Sequence, residues 1–233
     1  FNLIENNYFS GSSSAISSGS STKDISLYAS SNNRISSNVF NSSYVSYNLY
    51  MSSQSNSNII ENNTFSNSTR DGVSIHDSKN IGLYFNTFSN NGILITGNNI
   101  EYWNTHIMTD NTLNDKLIYY SKNDTGGSVS GNPGQIILAN STGALITNKN
   151  VSNGSNGILL GFSTSITISN NICSNNNQYG IRLGSSSGNN QIVNNTCNNS
   201  GYMGIYVHTG SNNNSLTNNT FNDNANFGIF LKS

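Results

Sequence analysis

Ten carboxylates are all the acid this chain offers: Glu5, Asp24, Glu61, Asp71, Asp77, Glu101, Asp110, Asp115, Asp124 and Asp223. Cleavage of a glycosidic bond by hydrolysis asks for two of them about 5 to 9.5 Å apart. Calcium-assisted elimination asks for several acidic oxygens and a base. No Asp-Asp pair, Gly-His-Gly or Arg-x-Lys run occurs. The densest charged patch is Arg70, Asp71, His76, Asp77 and Lys79. The first four of these are weak catalytic candidates, against a solvated loop with ordinary ion pairs.

The stretch from Glu101 to Pro133 gathers other unusual residues, among them the single Trp and the single Pro. Tyr102, Trp103, Tyr119 and Tyr120 offer rigid ring faces that could stack on sugars, or could instead pack over the flank of the fold. Asn-x-Ser/Thr sequons are numerous, as so Asn- and Ser-rich a chain produces by coincidence. Those at Asn67, Asn123, Asn153 and Asn198 fall in expected loops and could carry glycans, whereas Asn62, Asn194 and Asn218 belong to expected corners. Cys173 and Cys197 are too few for a disulfide scaffold and lack zinc spacing.

Asn (48) and Ser (42) fill 90 of 233 positions, while charged residues are 8 %. A net charge of -1 gives no footprint for nucleic acid, and no apolar run approaches the roughly 18 residues of a membrane span. Aromatics at 10 % argue against disorder. What must position the candidate residues is a repeat. Gly157-Ile158, Gly180-Ile181, Gly204-Ile205 and Gly228-Ile229 are spaced by 23, 24 and 24 residues, and Asp24-Ile25, Asn48-Leu49 and Gly72-Val73 by 24. A second marker, Asn-Asn-x-Phe or Cys, keeps phase at Asn62-Asn63-Thr64-Phe65, Asn170-Asn171-Ile172-Cys173, Asn194-Asn195-Thr196-Cys197 and Asn218-Asn219-Thr220-Phe221.

Within a unit, Gly-Ile-Arg-Leu (180–183) and Gly-Ile-Tyr-Val (204–207) alternate with period two, which means short strands. The predicted fold is all-β: a single-stranded right-handed parallel β-helix, a β-solenoid of about nine coils of about 24 residues. Coils would span 1–100 and 134–233, with an insert at about 101–133. Stacked about 4.8 Å apart, the coils would make a rod roughly 43 Å long. Asn tolerates left-handed backbone at the corners and can form amide ladders between coils. Cys173 and Cys197 then occupy equivalent inward positions about 5 Å apart, open either to a disulfide or to a buried thiol stack.

This coil pattern resembles the Asn-rich parallel β-helix repeats of NosD-like proteins, the CASH type grouped with carbohydrate-binding proteins and sugar hydrolases. The segment Asn111-Thr112-Leu113-Asn114-Asp115-Lys116-Leu117-Ile118-Tyr119-Tyr120, continuing to Gly134-Gln135-Ile136-Ile137-Leu138-Ala139-Asn140, is similar to an insert of archaeal surface proteins of this type. The resemblance implies the fold and an extracellular, cell-surface location. It also raises copper, which wants clustered His, Met or Cys. His76, His106 and His208, like Met51, Met108 and Met203, fall in different parts of the rod, so no metal or cofactor is expected.

By the markers, Phe1 corresponds to Asn213, and Ser233 stops three residues short of the next copy. Head-to-tail stacking of subunits, or excision from a longer surface protein, would each explain such ends. The expected function is a structural or adhesive solenoid of a cell envelope or filament, self-associating or glycan-bearing. The alternative is binding or cleavage of a polysaccharide.

Overall fold

The computed structural model describes residues 1–11 and 22–232. Ser233, on which the coil-completing ends depend, lies outside them. Among the described residues only Glu101–Asn104 is helical; the rest is short strands and turns. Strands stop after two to seven residues, most often where Asn, Ser or Asp enters left-handed backbone. Asn62, Asn170, Asn194 and Asn218 have φ between 54° and 56°, a conformation these short polar side chains reach more readily than most.

Each strand pairs in parallel with its equivalent one coil away. Ile25, Leu49 and Val73 align, as do Ile158, Ile181, Ile205 and Ile229. The fold is a parallel β-solenoid of about nine turns with about 24 residues per turn. Its inward positions stack like on like. Phe9, Phe40, Phe65 and Phe88 form a column of rings with centroids 4.6, 4.8 and 5.0 Å apart. Each stacked pair is worth about 0.5–1.5 kcal/mol beyond the area it buries. Cys173 and Cys197 occupy the matching place in the second half, and both are buried free thiols. The thiol stack, not the disulfide, is what the structure holds.

At one corner of most coils an Asn turns inward and satisfies its neighbours. Asn63 Nδ2 donates to Ile35 O at 2.9 Å and to Glu61 O at 3.0 Å, while its Oδ1 accepts from Asn38 N at 2.9 Å. Asn38, Asn63, Asn86 and Asn111 repeat this bond from coil to coil, as do Asn171, Asn195 and Asn219. The buried rung is the second Asn of each pair. Asn62, Asn194 and Asn218, expected in the ladder, are the exposed turn residues beside it.

The coils do not continue in one rod. Leu113 pairs with Lys116 across a two-residue turn, and the strand Thr112–Leu113 runs antiparallel to Lys116–Lys122. Asn114 and Asp115 both have positive φ, 49° and 63°, as a tight hairpin turn requires. The solenoid therefore reverses, and its second column returns beside the first. In a single rod, residues 71 and 178 would stand about 20 Å apart along the axis. Instead Gln178 Nε2 donates to Asp71 Oδ2 at 2.6 Å.

The columns meet through the long strand of each coil. Asp71–His76 and Ile93–Thr96 of the first face Gln135–Ala139, Asn156–Gly161 and Tyr179–Gly184 of the second. These second-column strands are buried on both sides. Ile136 and Leu138 enter the core of their own column, while Ile137, Ala139 and Leu159 join the core of the first. Gln135 pairs twice with the backbone of Ile93, and Ser185 Oγ donates to Gly97 O. Most of the expected insert is ordinary coil: Ile107–Thr109 and Thr112–Leu113 close the last turn of the first column, and Lys116–Lys122 opens the second.

Candidate functional site

The face between the columns collects the chain's scarce charge. Asp71 is fully buried there. Its oxygens accept from Asn156 Nδ2 at 2.8 Å and Gln178 Nε2 at 2.6 Å. Burial pushes its carboxyl up from the ordinary 3.8 to about 6, against the pull of hydrogen bonds from Ser155 and Gln178 and of the nearby guanidiniums. Arg70 does not pair with it directly. Arg70 Nε and Nη2 both donate to Gln178 Oε1, at 3.0 and 2.9 Å, and its Cζ lies 5.3 Å from the Tyr47 ring centre. Gln178 thus links the two charges across the column boundary.

Arg182 is buried beneath two rings, with Cζ 5.4 Å from Tyr179 and 5.8 Å from Tyr206. Its Nε donates to His208 Nε2 at 3.0 Å. Desolvation pushes its pKa downward, opposed by Tyr179 and Asp71. His76 holds Ser74 Oγ at 2.9 Å and Thr96 Oγ1 at 2.6 Å. Burial first, then Arg182, Arg70 and Lys23, lower it to about 4, so this imidazole is neutral at pH 7.

Beside this cluster the columns leave a groove of about 770 Å³, within the size range of ligand sites. One wall is a row of rings: Tyr179 and Tyr206 stack at 5.3 Å, Tyr206 and Phe230 lie at 5.6 Å, and Tyr202 meets Tyr179 edge-on at 5.7 Å. The opposite wall brings Thr69 and Arg70, and Lys232 stands at the mouth. Among the described residues no carboxylate lines it.

Of the residues singled out by sequence, Arg70 and Asp71 meet at this boundary, and His76 stands at the other end of the same strand, within reach of the Arg182 field. Asp77 does not join them. It is exposed at the far end of the strand Asp71–His76, about 20 Å from Asp71 at about 3.3 Å per residue, well outside the spacing of a hydrolase pair. Other acids are engaged elsewhere: Glu61 with Arg34, Glu101 with Lys79, Asp24 with Ser42 and Asn48.

The four insert aromatics make no shared platform. Trp103 is buried, donates Nε1–H to Gly97 O and packs on Gly161, so it shows no face to a sugar. Tyr120 packs with it against the first core, Tyr119 against the second, and Tyr102 borders Gly97. Asn67, Asn123 and Asn153 are exposed, with Asn67 Nδ2 already donating to Asn41 Oδ1, and Asn198 is half-buried. The groove residues Gln178, Tyr179, Tyr202, Tyr206, Phe230 and Lys232 carried no local motif. Their one signal was register: Arg182, Tyr206 and Phe230 share an outward coil position where a solvated strand would carry Ser or Thr.

Residues 106–233 match the family described as periplasmic copper-binding protein (NosD). The chain belongs to the NosD family. Comparison with curated proteins returns no match. Similar solved structures include the Dettilon tailspike protein, at 13 % identity over 94 % of this chain and 53 % of the tailspike, TM-score 0.33. The Streptococcus pneumoniae surface protein and adhesin PfbA has 14 % identity over 87 % of this chain and 49 % of that one, TM-score 0.31. The catalytic unit of a Streptomyces thermodiastaticus α-1,3-glucanase has 12 % identity over 86 % and 49 %, TM-score 0.32. The chain spans about half the length of these three.

Copper in the NosD description can be set against the donors present. Each imidazole has both nitrogens engaged. His106 Nδ1 accepts from Ile81 N and its Nε2 donates to Tyr102 O. His208 is held by Arg182 and Thr209, and His76 by Ser74 and Thr96. Met51 and Met203 are buried in separate places, and the two thiols sit in the core of the second column. Among the described residues no three His, Cys, Asp or Glu converge. This donor set does not fit a copper ion.

Proposed function

We propose that this NosD-family solenoid is a non-catalytic, adhesive module of the cell envelope that holds a saccharide chain in the groove between its columns. The observation carrying the reading is the ring row Tyr179–Tyr206–Phe230, with Tyr202 at its edge, lining a groove that no carboxylate of the described residues enters. Rings give sugars flat apolar contact at little entropic cost, and Asn177 adds an amide to the lining for hydroxyls. Asp71, already bound by two amides and standing about 20 Å from Asp77, is not placed to share a cleavage step. The periplasmic family description supports an envelope setting. No helix among the described residues is long and apolar enough to cross a membrane.

The test is affinity electrophoresis against a polysaccharide panel, with reducing-end and unsaturated-sugar assays on the same mixtures. Retardation without product release is expected, and Y202A together with Y206A should abolish it. Release of product, abolished by D71N, would establish the polysaccharide-cleaving alternative.

A further inference from the structure

The chain's charge is nearly balanced, with nine Lys and Arg against ten Asp and Glu, yet the groove is one-sided. Among the described residues its lining includes Arg70 and Lys232 and no acid. Arg182 lies just beneath the ring row. The one carboxylate at this boundary, Asp71, is sealed behind Gln178 and Asn156 with no exposed surface. At pH 7 the ionised Asp71 offsets one of these three cations, which leaves a net positive field that the low-dielectric walls concentrate in the cleft. The separation of charge from acid is built by the fold. Gln178 spends its carbonyl oxygen on Arg70 and its amide on Asp71, so the guanidinium is oriented without being neutralised by a direct ion pair.

We propose that the groove selects an anionic saccharide, a chain bearing carboxylates such as a polyuronate, over a neutral one. The ring row takes the sugar faces, while Lys232 at the mouth and Arg70 on the opposite wall take the carboxylates. Arg182 adds long-range attraction from below. The selectivity rests on the saccharide-binding reading above and adds to it the class of sugar.

The experiment compares polygalacturonate with its fully methyl-esterified form, which has the same backbone without charge, by affinity electrophoresis and calorimetry on the full chain. Polygalacturonate should bind at least about tenfold more tightly. Its affinity should fall with added salt, as the screening length shrinks from about 10 Å at 0.1 M to about 3 Å at 1 M. Lys232 is exposed, so K232M should fold normally. It should weaken polygalacturonate binding about fivefold, leave the ester unchanged, and be rescued by K232R. R70M should act in the same direction, with Trp103 fluorescence reporting whether the columns stay together.

Equal binding of polymer and ester would overturn the anionic selectivity while leaving the saccharide reading standing. Binding of neither would sink the saccharide reading itself. Preference for polygalacturonate that neither K232M nor R70M alters would place the site elsewhere and overturn the assignment to this groove.

Discussion

Asp71 is buried only because the second column lies against the first, so its titration reports on that packing. In the folded chain its carboxyl is raised from 3.8 to about 6, with desolvation as the leading cause. A carboxyl whose folded pKa lies above its unfolded one binds its proton more tightly when folded. Its contribution to stability is therefore full below about pH 4, is lost as pH rises through about 6, and is flat above that. Moving the carboxyl from 3.8 to about 6 corresponds to about 3 kcal/mol. Three imidazoles oppose this. His76 and His106 are lowered to about 4 and His208 to about 3, each chiefly by burial. They withhold protons that the unfolded chain takes up, so their contribution is present above 6.5 and lost as pH falls. The wild-type curve alone mixes the two slopes.

Comparison with D71N separates them. Asn156 Oδ1 is a buried oxygen with no partner, and turning that amide over lets an Asn at 71 donate to it, while Gln178 keeps its acceptor. The variant should fold, and it has no proton to take up at this position. Urea unfolding followed by Trp103 fluorescence at pH 4, 5, 6 and 7 should show wild type gaining on D71N as pH falls. The gain should total about 3 kcal/mol, most of it reached by pH 4. A wild-type to D71N difference independent of pH would mean that Asp71 is solvated in solution, and would refute the side-by-side packing of the columns.

Three further outcomes follow from particular contacts. A Cβ at position 161 would lie 2.1 Å from the Trp103 ring. G161A should therefore cost about 1–3 kcal/mol in wild type and little in a W103A background, the coupling being read from a double-mutant cycle of melts. N63A removes a rung that satisfies backbone of two coils and should cost about 2–4 kcal/mol. N62A next to it changes only the tolerance for positive φ and should cost about 1 kcal/mol, a contrast that chemical denaturation resolves. Copper titration of the reduced chain should show only weak, unsaturable uptake, because all six imidazole nitrogens are already hydrogen-bonded.

The repeat was legible because stacked coils put like on like. Phe9, Phe40, Phe65 and Phe88 follow one another through the core, and the same seat holds Cys173 and Cys197 in the second half. Which Asn of each pair is the rung was not legible, since both are Asn and only backbone φ separates Asn62 from Asn63. The reversal was hidden for a related reason. A hairpin turn of Asn114 and Asp115 has no contrast in a chain where 48 residues are Asn. Its trace lay instead in Gln135-Ile-Ile-Leu-Ala and Gly157-Ile-Leu-Leu-Gly, continuous apolar runs where a strand with one wet face alternates. Such a run means burial on both sides, which one free-standing coil cannot provide. From that step the site follows. Asp71 and Gln178 stand 107 positions apart and share a hydrogen bond only if the solenoid turns back. The groove beside them is thus a product of the reversal, and no spacing within a single coil could have disclosed it. The few charges then take on a positional meaning. The single acid at the boundary is sealed inside it, and the cations Arg70 and Lys232 are left lining the cleft, the arrangement on which the proposed preference for a charged chain rests.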